Sequence, residues 1–215
     1  MIPLDLDALA KATLKREPFE YAIVPGFIRP EAAEAIERDF PAIDDTGSYV
    51  PASLNYGPAF ARLLDAMRGP ELAQALGRKF GVDLTGLPTL VTVRGRTGAR
   101  DGRIHHDRAG KVMTALLYLN RDWREKTGWL RLLRAKDDLD DYAEEVPPEM
   151  GTLLVFRCTS NAFHGHKTFI GPRRAVQLNW IDSRVQCAWE QGRHWLSAAA
   201  KKLRGSPHTH EGTAA

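Results

Sequence analysis

A mostly β core with helical support ahead of it is the fold class this sequence predicts, on three observations. From Leu87 onward the chain breaks into strand-length runs rich in Val, Leu, Thr and aromatics. Turn signals separate those runs, among them Thr97-Gly98, Asp101-Gly102, Pro147-Pro148 and Gly171-Pro172. The first ~90 residues instead space their apolar side chains as amphipathic helices do. Short strands broken by turns suggest a sandwich or a double-sheet barrel.

Each element has its own reason. Leu4 to Lys15 puts Leu6, Leu9, Ala10 and Leu14 near one helical face. Residues 20–28, EYAIVPGFI, read as a strand ended by Pro25-Gly26. Pro30 occupies the permitted first turn of a helix over Glu31 to Phe40. Two more helices follow, Tyr56 to Met67 and Glu71 to Phe80, the second ended by Gly81. Strands are predicted at LPTLVTVRG, KVMTALLYLN, GWLRLLRA, GTLLVFRC and RRAVQLNWI. His194 falls in a Trp-rich C-terminal helix, and the polar tail with His208 and His210 reads as disordered and exposed. The division is therefore 1–86 helical support, 87–186 β core, and 187–215 C-terminal helix and tail. No internal repeat is present.

Bulk properties exclude several classes. A 215-residue chain with 43% hydrophobic and 27% charged residues suits one generous soluble domain. The net charge of +3, with no run of basic residues, gives no case for nucleic acid. Cys158 and Cys187 form no disulfide framework and lack metal-ligand spacing. The N-terminus has no apolar signal core, and no run reaches the ~18 apolar residues of a membrane span. A cytoplasmic protein is expected.

The chemistry gathers around His105-His106-Asp107. Residues at i and i+2 of extended backbone face one side, so His105 and Asp107 can address one ion while His106 turns away. A shift by one would pair His106 with Arg108, a cation. Alone, the motif reads as a polar loop between strands. His164 strengthens it, because two imidazoles and one carboxylate make the facial triad of non-haem Fe(II) oxygenases, with positions left open for co-substrate and O2. The same three groups could hold zinc for hydrolysis, although no HExxH-like base motif accompanies them, or could serve a metal-binding sensor or interaction module without turnover. His166 shares a face with His164 and could replace it, though a place beside the substrate fits it better. In RRAVQLNWI, Arg173, Ala175, Gln177 and Asn179 form a polar face opposite Arg174, Val176, Leu178 and Trp180. An arginine fork on the polar face could clamp a carboxylate.

With these residues in view, the segment from Leu87 to Asp182 resembles the Fe(II)- and 2-oxoglutarate-dependent dioxygenases, most closely their prolyl-hydroxylase-like branch. HHD, KVMTALLYLNRDW, GWLRLL, GTLLVF, FHGH and RRAVQLNW occur in the family's order and spacing. The resemblance implies a double-stranded β-helix, a cupin-like jelly-roll, with the metal at one open end. It implies His105, Asp107 and His164 as Fe(II) ligands. Arg173 takes the place of the basic residue that pairs with the far carboxylate of 2-oxoglutarate, with Arg174 as the alternative register. Tyr118 matches a tyrosine that donates to the same carboxylate, and Thr114 and Leu116 would line the slot. The implied reaction consumes O2, with ascorbate as a supporting reductant, releases succinate and CO2, and oxidises an unactivated C–H bond. A retained Asp107 favours hydroxylation over halogenation, because related halogenases give up that carboxylate. The family often carries a tyrosine about ten positions before the first ligand; Arg94-Gly95-Arg96-Thr97 stands there instead.

For the primary substrate, the candidates are Arg103, Lys111, Arg131, His166, Gln177 and Asn179. Arg94, Arg96, Arg100 and Arg103 crowd the approach to His105 and could greet an acidic substrate or form a solvated rim. Small molecules, lipid-linked groups and peptide side chains all fit, and likeness to prolyl hydroxylases does not make proline the substrate.

Overall fold

A computed structural model describes residues 2–108 and 110–182. Cys187, the expected Trp-rich helix with His194, and the tail with His208 and His210 lie outside the described residues.

Strand alternation sets the layers. The elements in order are α1 (Leu6–Lys11), β1 (Tyr21–Val24), α2 (Pro30–Arg38), α3 (Pro58–Arg68), α4 (Pro70–Phe80), β2 (Thr89–Thr97), β3 (Lys111–Tyr118), β4 (Leu130–Leu133), β5 (Tyr142–Val146), β6 (Leu153–Arg157), β7 (His164–Gly165) and β8 (Gly171–Ile181). A major sheet runs β1-β6-β3-β8-β2 and a minor sheet runs β5-β4-β7, with antiparallel pairing throughout. Met113, Ala115 and Leu117 of β3, Leu153 and Val155 of β6, and Val176, Leu178 and Trp180 of β8 pack with the helices. The alternate residues Tyr118, Leu154, Phe156 and Ala175 face the minor sheet, meeting Leu130, Leu132 and Val146. This is a mostly β jelly-roll with helices buttressing one sheet.

The first helix and β5 differ most from the sequence expectation, and the two-residue β7 has no counterpart in it. The first helix ends at Lys11 because both of its flanks are taken by bridges: Leu4 pairs with Ile28, and Lys15 exchanges two 2.9 Å backbone bonds with Tyr21. Asp5 caps it by accepting the Ala8 N–H. The strand β5 went unpredicted because YAEEV lacks an apolar stripe; pairing with β4 is what makes it a strand. The helices α2, α3 and α4 each open on proline, and α4 closes at Gly81 with φ of 63°. Among the described residues no helix is long and apolar enough to cross a membrane.

Candidate metal centre

His105 and His164 are brought together by their backbones. The His105 N–H donates to the His164 carbonyl (3.0 Å), and the His164 N–H returns a bond of 2.9 Å. Such a hydrogen-bonded antiparallel pair directs both side chains to one face, and the two ring centroids stand 4.3 Å apart. Each ring also commits its Nδ1 to a backbone carbonyl, His105 to Arg103 (2.9 Å) and His164 to Ala162 (3.0 Å). A carbonyl only accepts, so Nδ1 carries the proton and Nε2 keeps its lone pair for a metal. One ligand atom from each of His105, Asp107 and His164 lies within 4.8 Å of the others. This donor set fits Fe(II). His105 is exposed and His164 buried. Burial, then the neighbouring His105, pushes the His164 imidazole down to about 4, so it is neutral at physiological pH as a ligand must be. His106 turns away, its ring edge against Phe163 at 5.3 Å.

The Asp107 carboxylate is held from two sides. Lys111 Nζ stands 3.2 Å from Oδ1, and the Thr114 hydroxyl donates to Oδ2. Thr114 Oγ1 in turn accepts from Asn179 Nδ2 (2.6 Å), and Asn179 Oδ1 accepts from Gln177 Nε2 (3.1 Å). Burial pushes Asp107 up, but Lys111, His164 and Thr114 outweigh it and hold the carboxyl below its usual range. Cys158 Sγ lies 3.2 Å from Thr114 Oγ1; burial and then Asp107 push this thiol up to about 12. Thr114 was expected to line the co-substrate slot and Lys111 and Asn179 to face substrate. None of the three is among the residues lining the cavity; Lys111 and Thr114 bond to Asp107 and Asn179 bonds to Thr114, since a buried carboxylate recruits nearby donors.

Beside the triad lies a cavity of about 240 Å³, lined by Arg173, Leu116, Gln177, His105, His164 and Arg94 among others. Arg173 is buried. Its Nε donates to the Gly128 carbonyl (2.8 Å) and its Nη2 to the Tyr118 hydroxyl (3.1 Å), with the guanidinium 5.0 Å from that ring's centroid. The remaining donors of the fork are left for a ligand. Burial raises the Tyr118 phenol above its ordinary value against the pull of Arg173, so it stays protonated. Its oxygen accepts from Arg173, which frees its own proton to donate.

Arg103 and His166 also line the cavity. His166 is buried with Nδ1 donating to the Lys167 carbonyl (2.9 Å), and burial and then Arg173 push it down to about 4. It is His164, not His166, that joins the ligand group. Two predicted residues are elsewhere. Arg174 turns to the helical side, 5.1 Å from the Phe40 ring centroid, because alternation along β8 opposes it to Arg173. Arg131 pairs with Glu145 (2.6 Å) and Asp140 (2.5 Å) and stacks on Tyr142, held there by β5. Sequence reasoning missed Asp101, which binds Arg94 at 2.8 Å, and Gly128. An acid amid four arginines was the available signal for the first; a carbonyl leaves none for the second.

Comparison with known proteins follows the same line. Residues 95–182 match the family model of the 2OG-Fe(II) oxygenase superfamily. No curated protein matches the chain by sequence. A prolyl-4-hydroxylase from Pseudomonas putida has a similar structure, with a TM-score of 0.54 and 19% identity, covering 85% of this chain and 96% of that one. A 2OG-Fe(II) oxygenase family oxidoreductase from Burkholderia pseudomallei gives 0.52 and 14%, covering 83% and 91%. The viral collagen prolyl hydroxylase of Paramecium bursaria Chlorella virus-1, solved with 2-oxoglutarate, gives 0.53 and 13%, covering 76% and 96%. At these identities the structures share the fold alone, and the family match favours an oxygenase over a zinc hydrolase or a binding module. Residues 95–182 thus match the 2OG-Fe(II) oxygenase superfamily, and that match supports an enzyme that uses Fe(II), 2-oxoglutarate and O2.

Proposed function

We propose that this oxygenase hydroxylates an unactivated C–H bond of a small molecule or side chain, with His105, Asp107 and His164 holding the iron. The observation that carries the reading is the convergence of those three ligand atoms within 4.8 Å, beside a cavity whose wall includes Arg173. When bound, Fe(II) supplies the coupling of 2-oxoglutarate decarboxylation, which yields succinate and CO2, to insertion of one atom of O2 into the C–H bond.

The chain's own residues position and select. Arg173 offers its free donors to the far carboxylate of 2-oxoglutarate and Tyr118 donates its phenolic proton to the same group, in a buried place where charge-assisted bonds are strong. Leu116 gives an apolar wall for the methylenes. Thr114 and Lys111 keep Asp107 ionised and in one orientation. The retained carboxylate ligand favours hydroxylation over halogenation.

The test is an anaerobic titration with Fe(II) and then 2-oxoglutarate, watched for the visible charge-transfer band of the chelate. The band is expected in the wild type and lost in Asp107→Ala. Iron binding without a band in the wild type would overturn the reading.

A further inference from the structure

Two arginines of the cavity lining have no task in this scheme. Arg100 and Arg103 both line the cavity, and both are exposed. Among the described residues neither side chain has a hydrogen-bond or ion-pair partner. The other two arginines of the lining are engaged. Arg94 Nη1 pairs with Asp101 Oδ1 at 2.8 Å, and Arg173 is held by Gly128 and Tyr118. Asp101 is the lining's sole carboxylate, and Arg94 occupies it.

The loop that carries Arg100 and Arg103 is fastened down. The Gly98 N–H donates to Asp101 Oδ2 (2.7 Å), and the Asp101 N–H returns to the Gly98 carbonyl (3.0 Å). The Gly102 carbonyl accepts from the His166 N–H at 2.9 Å. Gly102 has φ of 89°, and a Cβ there would strike the His166 carbonyl, so only glycine permits this approach. The Arg103 carbonyl orients the His105 ring. The same residue thus holds a metal ligand by its backbone and presents a free guanidinium by its side chain. The position of that charge is tied to the position of the iron.

2-Oxoglutarate does not account for the two cations. Its far carboxylate is taken by Arg173 and Tyr118, and its keto-acid end by the metal. Two uncompensated guanidinium groups at a cavity mouth focus positive potential and attract anions, and each forms a fork suited to carboxylate or phosphate oxygens.

We infer that the primary substrate is a small molecule bearing a carboxylate or phosphate, which Arg100 and Arg103 grip at the mouth while the C–H to be oxidised points inward. This inference rests on the proposed oxygenase reading. Gripping one end fixes the distance from anion to reacting carbon, which is a specificity device rather than a catalytic one.

The experiment uses the anaerobic full-length protein loaded with Fe(II) and 2-oxoglutarate, titrated calorimetrically with phenyl phosphate and, separately, with benzoate. The charge-transfer band is recorded in every sample. At least one anion is expected to bind, and the stronger identifies the oxyanion. The Arg100→Ala/Arg103→Ala double variant is expected to weaken it by about ten-fold or more, as loss of charge-assisted bonds predicts. Arg78→Ala, an exposed position on α4, removes one charge elsewhere and is expected to leave binding unchanged. The band and the affinity for 2-oxoglutarate should be the same in all three. If the band forms but neither anion binds, or Arg78→Ala weakens binding equally, the inference falls while the oxygenase stands. It falls also if the double variant loses affinity for 2-oxoglutarate instead. If the wild type forms no band, the oxygenase reading itself fails and takes the inference with it.

Discussion

Asp107, the proposed carboxylate ligand, is oriented by side chains outside the ligand group. The Thr114 hydroxyl fixes one carboxylate oxygen and Asn179 fixes Thr114, so a buried chain of neutral dipoles sets the angle of a charged ligand. Thr114→Val keeps the shape and removes the hydroxyl. It is expected to lower Fe(II) affinity by about 10–100-fold, the usual effect of losing a partner that orients a metal ligand. Thr114→Ser should restore most of it, and anaerobic metal titration measures both. Arg173→Ala addresses the co-substrate instead. Charge-assisted bonds of about 1.5–3 kcal/mol each predict a rise in the 2-oxoglutarate Kd of roughly 100-fold, with Fe(II) affinity nearly intact. An unchanged Kd would remove Arg173 from the role. At this scale the His-x-Asp motif was legible because i, i+2 geometry is local. The task of Thr114 was not, since periodicity gives the face of a residue on β3 but not which loop folds over it.

Elements carry the site through their carbonyls as much as their side chains. Gly128 has φ of 79°, and a Cβ there would lie 3.0 Å from Phe169 and 3.1 Å from Trp123, whose rings meet in a tilted pair at 4.8 Å. Its carbonyl holds Arg173 Nε. Gly128→Ala is expected to raise the 2-oxoglutarate Kd by several-fold, about 1 kcal/mol for a misplaced hydrogen bond, without changing metal affinity. Equal loss of both would mean a general collapse of the minor sheet. Strands β2, β3, β6 and β8 were readable because their apolar alternation is strong. The inner and outer faces of β8 were readable too, which separates Arg173 from Arg174. The pairing of Arg131 with Glu145 is not legible in the sequence because β5, which carries Glu145, has no apolar signature. The first helix is shorter than its periodicity suggests because the residues at the two expected ends, Leu4 and Lys15, pair with Ile28 and Tyr21.

Across the whole molecule, the helices and the major sheet share one core. Phe60 of α3 is fully buried with Phe40 and Tyr56 edge-on at 5.2 and 5.3 Å, in the same cluster as Leu117 and Val176. Phe60→Ala is expected to cost about 3–5 kcal/mol and lower the Tm, while the 2-oxoglutarate Kd measured well below that Tm stays unchanged. A shift in Kd would mean that the helices set cavity shape as well as stability. The reciprocal backbone bonds between His105 and His164 have a kinetic consequence at this scale. The loop and the minor sheet meet there as a single latch, so neither amide can reach solvent hydrogen without releasing the other. An ion spanning both side chains closes that latch from the opposite side, and the slow exchange of these two amides then reports metal loading in a protein whose substrate has yet to be supplied.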